Sequence, residues 1–177
     1  MNIVCRLCRS WILRRRIQAH VPRMQQVVFA WTHDAVLTQT IPAAAALEVG
    51  KDLARFRADV TELRIALYRA VLRAYLRYKQ DYRDVLPFAP NERMTAARAP
   101  LVRKVRNAMR RLDERQRLIV SLVDLGGCSY PETARVLDLS KNALLDALCN
   151  ARVQLKAQLL GAADAARTDA QRRGGRR

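Results

Sequence analysis

The stretch from Ser129 to Leu155, SYPETARVLDLSKNALLDALCNARVQL, constrains this chain more than any other. Its spacing predicts two helices joined by a tight turn. The first spans about Tyr130 to Leu137. Pro131 and Glu132 suit its first turn, where a missing N–H is harmless and a carboxylate faces the positive end of the dipole. Asp138 and Leu139 form the turn, and Ser140 is the N-cap of the second helix. Val136, Leu137, Leu139, Leu144 and Leu148 are the apolar positions that lock the pair, with the small Ala134 where the helices come closest. Two short-coupled helices of this kind form a helix-turn-helix, whose second helix enters the DNA major groove. The bland alternative is an αα-hairpin that only builds a core.

The charge balance bears on that choice. Among 177 residues, 33 Lys and Arg stand against 16 acids, a net charge of +17. Such an excess implies a polyanionic partner, because each phosphate contact releases counterions. Arg172, Arg173, Arg176 and Arg177 at the C-terminus supply only a small part of it. With 50% apolar residues, 6 glycines, 6 prolines and no sustained alternation, the expected fold is all-α. No apolar run has the length of a membrane span. Arginines at 6, 9, 14, 15 and 16 break any secretory signal, and the acid-free first 33 residues only loosely suit a transit peptide. The expected compartment is the cytoplasm. Cys5 and Cys8 form a C-x-x-C, but Cys128, Cys149, His20 and His33 do not complete a zinc pattern, so free thiols and no metal are expected.

Residues 1–23 read as a basic extension that Pro22 interrupts, followed by an apolar helix from Met24 to about His33. Asp34 caps the next segment, which Pro42 should kink or restart and Gly50 should end. Asp59 to about Arg83 is the strongest helix of the N-terminal half: Asp59 and Glu62 suggest a capping box, and Leu63, Leu67, Val71, Leu72 and Leu76 form an apolar stripe. Tyr68, Tyr75, Tyr78 and Tyr82 lie among Arg64, Arg69, Arg73, Arg77 and Lys79. That mixture suits single-stranded nucleic acid, with rings stacking on bases; equally, the tyrosines edge a core and the arginines form a solvated face. Residues 84–100, with Pro87, Pro90 and Pro100, read as a linker. A basic helix over Leu101 to Leu112, an apolar one over Leu118 to Leu125, and a last helix ending at Leu160 follow, with a disordered basic tail over 161–177.

Leu112 to Leu155 resembles region four, the promoter-binding region, of bacterial extracytoplasmic-function sigma factors of RNA polymerase. The resemblance lies in Arg111-Leu112-Asp113-Glu114-Arg115-Gln116-Arg117 before an apolar helix, in the turn Gly126-Gly127-Cys128-Ser129-Tyr130-Pro131-Glu132, and in Asn150-Ala151-Arg152-Val153-Gln154-Leu155. More faintly, Val28–Asp34 and Leu63–Arg69 resemble region two, whose second helix recognises and melts the minus-ten element. The resemblance implies two small helical domains, 24–83 and 101–160, joined by the linker 84–100, with promoter DNA and RNA polymerase core as partners and an anti-sigma protein as a further one. It implies no enzyme, no cofactor and no small-molecule substrate. An alternative is a sigma-like regulator, or a mimic that binds an anti-sigma partner, which has lost polymerase docking.

On this reading Ser140, Lys141, Asn142 and Leu145 face DNA from the second helix, and Asn150 and Arg152 reach the backbone further along. Arg69, Arg73 and Arg77 approach the minus-ten region, and Gln39, Thr40 and Ala43 meet polymerase. The departures are specific. Where the family has an acidic aspartate-leucine-valine-glutamine motif, this chain has Thr40-Ile41-Pro42-Ala43; the family's tryptophan is Ala66, and Leu145-Asp146-Ala147 replaces a lysine, serine and arginine. Asp146 either pairs with Lys141 or Arg152, or faces DNA unpaired. No phosphate loop, paired metal-ligand histidines or nucleophile–histidine spacing supports catalysis.

Overall fold

Helices form wherever the apolar period allows. The structure, a computed structural model, describes residues 3–51, 56, 59–81 and 100–174, with side chains over 14–51, 56, 59–81 and 103–161. The order is α1 (Ile3–Thr32), α2 (Ala35–Gly50), α3 (Val60–Asp81), α4 (Pro100–Arg111), α5 (Glu114–Val120), a π-helical segment (Ser121–Leu125), α6 (Tyr130–Leu137) and α7 (Lys141–Gly174). Among the described residues there is no strand. The all-α expectation holds.

Several boundaries differ from the sequence reading. Pro22 does not interrupt α1, and Pro42 does not break α2. A proline inside a helix forfeits one backbone bond, but Ile17 and Met24 are buried on either side of Pro22, and Ile41 and Ala45 flank Pro42. Packing holds both helices straight through. The helix expected to stop at Leu160 continues to Gly174, so the tail expected to be disordered from 161 is helical over most of its length. Residues 84–99 of the expected linker 84–100, Tyr82, Arg83, and the side chains of Cys5 and Cys8 lie outside the described residues, and the linker's last residue, Pro100, instead begins α4, since proline suits a helix's first turn.

The two halves share one core. Val27, Val28 and Trp31 of α1, Leu63, Leu67, Tyr68 and Val71 of α3, and Ile119, Leu122, Val136, Leu144 and Leu148 of the C-terminal half belong to one buried cluster. Helix α3 packs on α2 and α6, and α1 packs on α2, α3 and the π segment. Of the stripe expected on α3, Leu63, Leu67 and Val71 are buried and Leu72 is partly buried, but Leu76 is exposed and Tyr68 and Tyr75 join the buried face. Tyr75 packs on Trp31 at 5.2 Å and donates to Glu114. Burial first, and then the Glu114 charge, push the Tyr75 hydroxyl up to about 12. Tyr68 and Tyr75 edge the core, so no base can stack on them.

The π segment explains how Tyr68 is seated. Gly126 N–H donates to Ser121 O at 2.9 Å, a five-residue step that widens the last turn. The Gly126 carbonyl then accepts the buried Tyr68 hydroxyl at 2.9 Å. A Cβ on Gly126 would lie 2.6 Å from the Leu122 carbonyl oxygen and 3.1 Å from the Tyr68 hydroxyl, so only glycine fits. Gly126→Ala should lower unfolding stability by about 2 kcal/mol, measured by urea titration; an unchanged midpoint would show that the seat tolerates a side chain.

At the corner between α1 and α2, His33 has φ 54 and packs edge-on to Phe29, and both its ring nitrogens are buried without a hydrogen-bond partner. Burial, aided by the charges of Arg110, Arg106 and Arg117, pulls its pKa down to about 4. A group held neutral when folded and free to protonate when unfolded costs stability as pH falls. Melting temperature should therefore decline from about pH 6.5, the ordinary histidine value, toward about 4. His20 is lowered by burial and by Arg64 and Arg23, and acts in the same direction. His33→Asn, which tolerates the positive φ, should flatten the decline; an unaltered slope in thermal melts would place its origin elsewhere.

Candidate DNA-binding surface

Helix α6 begins with a complete capping box. Ser129 Oγ accepts from Glu132 N–H, and Glu132 Oε2 accepts from the Ser129 backbone N–H at 2.7 Å. The helix ends at Asp138, a left-handed residue with φ 54 and ψ 52, after which Leu139 N–H donates back to Ala134 O at 2.9 Å. Ser140 Oγ then accepts from Ala143 N–H at 3.2 Å, and α7 begins. The helix-turn-helix has the boundaries that the sequence predicted. Val136, Leu144 and Leu148 are buried, and Leu137 and Leu139 pack against the same core half-buried.

Leu144, Leu148 and Ala151 point inward, which turns the opposite face of α7 to solvent. Asn142, Asp146, Cys149 and Asn150 are exposed there, and Lys141 is exposed on the neighbouring stripe with Leu145. Leu145 is half-buried in a shallow groove of about 360 Å³ shared with Tyr130, Cys149 and Val153. Arg152 donates to Asp124 of the π segment at 2.7 Å. Asp146, expected to pair with Lys141 or Arg152 or else to stand free, has no ion pair or hydrogen bond among the described residues.

The α3 residues sit differently. Arg69 donates to the Arg135 carbonyl oxygen at 3.0 and 2.6 Å, and Arg73 pairs with Glu48. Arg77 is exposed. Asp59 caps α3 through Thr61 N–H at 2.7 Å and Glu62 N–H at 3.2 Å. Glu62 does not return the capping bond among the described contacts; it pairs with Arg135 of α6. Gln39, Thr40 and Ala43 are exposed on α2 between the solvent-facing Val36 and Leu47, and Thr40 Oγ1 donates to Val36 O at 3.0 Å.

Sequence reasoning missed the contact that fixes the helix-turn-helix to the N-terminal half. Arg64 of α3 grips Glu132 through its Nε at 2.9 Å and through Nη2. Burial alone would raise the Glu132 carboxyl. The Ser129 N–H, Arg64 and the Ser129 hydroxyl outweigh burial and hold the carboxyl below the ordinary carboxylate value. Its stabilisation is thus present above that value and is lost as pH falls through the lowered one. Half of this was readable: Ser129-x-x-Glu132 is a capping-box signature. The Arg64 half was not, because it joins residues far apart in the chain.

Residues 103–155 match the family described as Sigma-70, region 4. The stretch carries α4 to the first half of α7, so the helix-turn-helix is that of a sigma-type DNA-binding domain. No curated protein matches the chain. Among solved structures, CnrH in complex with the cytosolic domain of CnrY is similar in fold, with a TM-score of 0.63 and 22% identity over 84% of this chain and 88% of that one. The region-four match supports a transcription regulator of the sigma-factor type.

Glu132→Gln strands the partly buried Arg64 charge and should cost about 3 kcal/mol in urea unfolding. Pairing it with Arg64→Met should restore much of the loss, since coupled residues do not add. Additive losses would disprove the coupling.

Proposed function

We propose that this protein is a sigma factor of the extracytoplasmic-function type, which brings RNA polymerase core to particular promoters in the cytoplasm and starts transcription there. The observation that carries the reading is the helix-turn-helix of α6 and α7, closed by caps at Ser129, Asp138 and Ser140, within a region-four match. Ser140, Lys141, Asn142 and Leu145 face the upstream element, with Asn150 and Arg152 nearer the backbone. Arg69, Arg73 and Arg77 of α3 serve the minus-ten element. For that, Arg69 and Arg73 must exchange the Arg135 carbonyl and Glu48 for phosphates. Gln39, Thr40 and Ala43 on the exposed face of α2 meet the polymerase, and the protein itself catalyses nothing. Because CnrH was solved with a cytosolic domain of CnrY, a protein that sequesters this chain is a further proposed partner.

A second reading is favoured by the composition of that α2 face. Among Val36, Gln39, Thr40, Ala43 and Leu47 there is no carboxylate. A sigma-like regulator that no longer docks on polymerase would look like this.

Capture of bacterial core polymerase by the purified chain, followed by run-off transcription on genomic fragments, separates the two. Discrete start sites support the sigma factor, and Ala43→Arg should then weaken capture about tenfold with helicity unchanged. Absence of capture by a folded chain supports the regulator.

A further inference from the structure

On α7, Asn142 and Asp146 stand one turn apart on the face opposite the buried Leu144, Leu148 and Ala151, with Cys149 beside them. The neighbouring stripe carries Lys141, Leu145, Arg152 and Lys156. Its arginine is already held by Asp124 at 2.7 Å. The outward face itself contains no arginine or lysine in its first three turns. Guanine offers two acceptors, O6 and N7, to the major groove, and neither Asn142 nor Asp146 is a cation that would meet both.

Asp146 is exposed and unpaired among the described residues. Against a phosphate its carboxylate would be repelled. Over base edges it needs a donor, and two bases present one there. Adenine places its N7 acceptor beside the N6 amino group, which opposes a carboxylate; cytosine presents N4–H₂ without that neighbour. Asn142 supplies the donor and acceptor pair that adenine's N6 and N7 require. Leu145 and Cys149, at the mouth of the groove formed with Tyr130 and Val153, offer an apolar surface to a thymine methyl.

We infer that this recognition helix reads a cytosine through Asp146 beside an adenine through Asn142, with thymine against Leu145 and Cys149. The inference rests on the DNA-binding reading of α6 and α7. Asp146 is thus a specificity-determining residue, and the element follows from the two polar side chains one turn apart.

The test is selection from a random duplex library by the full chain, alone and bound to core polymerase, for the natural sequence, Asp146→Ala and Asp146→Arg. Asp146 makes no hydrogen bond or ion pair among the described residues, and circular dichroism checks that both variants keep their helices. The expected result is an enriched element with one cytosine whose preference falls about tenfold in Asp146→Ala and turns to guanine in Asp146→Arg. An enriched element whose every base preference is unaltered in Asp146→Ala overturns the inference and leaves the DNA-binding reading standing. No enrichment in either form overturns that reading, and the inference with it.

Discussion

Glu132 is the carboxylate on which the two halves depend. It closes the capping box of α6 and, from the same buried position, accepts the guanidinium of Arg64 on α3. The surrounding polar contacts are more exposed: Glu62 with Arg135, and Lys79 with Glu114. Exposed pairs of this kind contribute about 0–1 kcal/mol each, so they do not hold the halves together. The apolar cluster of Leu63, Leu67, Tyr68, Leu122 and Val136 does that. An apolar surface tolerates sliding, however, whereas a buried carboxylate accepting four hydrogen bonds from Arg64 and Ser129 does not. Glu132 therefore fixes the register in which α6 lies on α3, and the Tyr68 hydroxyl on Gly126 O fixes it a second time.

That register decides which surfaces are free. The α3 side of α6 is closed, and the arginines there serve the protein: Arg64 holds Glu132, and Arg69 holds the Arg135 carbonyl. The outward face of α7 is left bare, because its inward leucines fill the C-terminal core. Helix α7 thus presents Asn142 and Asp146 to solvent, while three of the four α3 arginines, Arg64, Arg69 and Arg73, are engaged.

How far this was legible follows from how local each determinant is. The helix-turn-helix was readable to the residue, since Pro131, Asp138 and Ser140 act within one turn of where they stand. The passage of α1 and α2 through Pro22 and Pro42 was not, because it depends on Ile17, Met24, Ile41 and Ala45 finding distant partners that outweigh one lost backbone bond each. Gly161 misled in a different way. A Cβ there would meet nothing, so the residue costs α7 only the intrinsic penalty of about 1 kcal/mol, and the alanine-rich sequence that follows supplies strong helix formers. The α3 arginines were recognisable as cations, but what each one binds is decided by α2 and α6. Nothing in their own spacing says so.

The distribution of charge joins the site to the rest of the molecule. The chain carries +17, yet the outward face of α7 carries Asn142, Asp146 and Cys149. Cations stand elsewhere: Arg103, Arg110 and Arg111 on α4 and Arg115 on α5 are exposed, with no ion pair among the described residues. Charges at that remove act over about a Debye length, ~8–10 Å at physiological salt, and so raise the encounter rate with any nucleic acid while distinguishing no sequence. Discrimination has to come from groups that act only in contact. On the proposed reading, the neutral amide of Asn142, the Asp146 carboxylate and the apolar rim would meet that condition, and the carboxylate would add a repulsive element against any site that sets a phosphate beneath it. On that reading the selecting groups stand on α7, which packs on α6, and the Glu132 clasp holds α6 on the core shared by both halves.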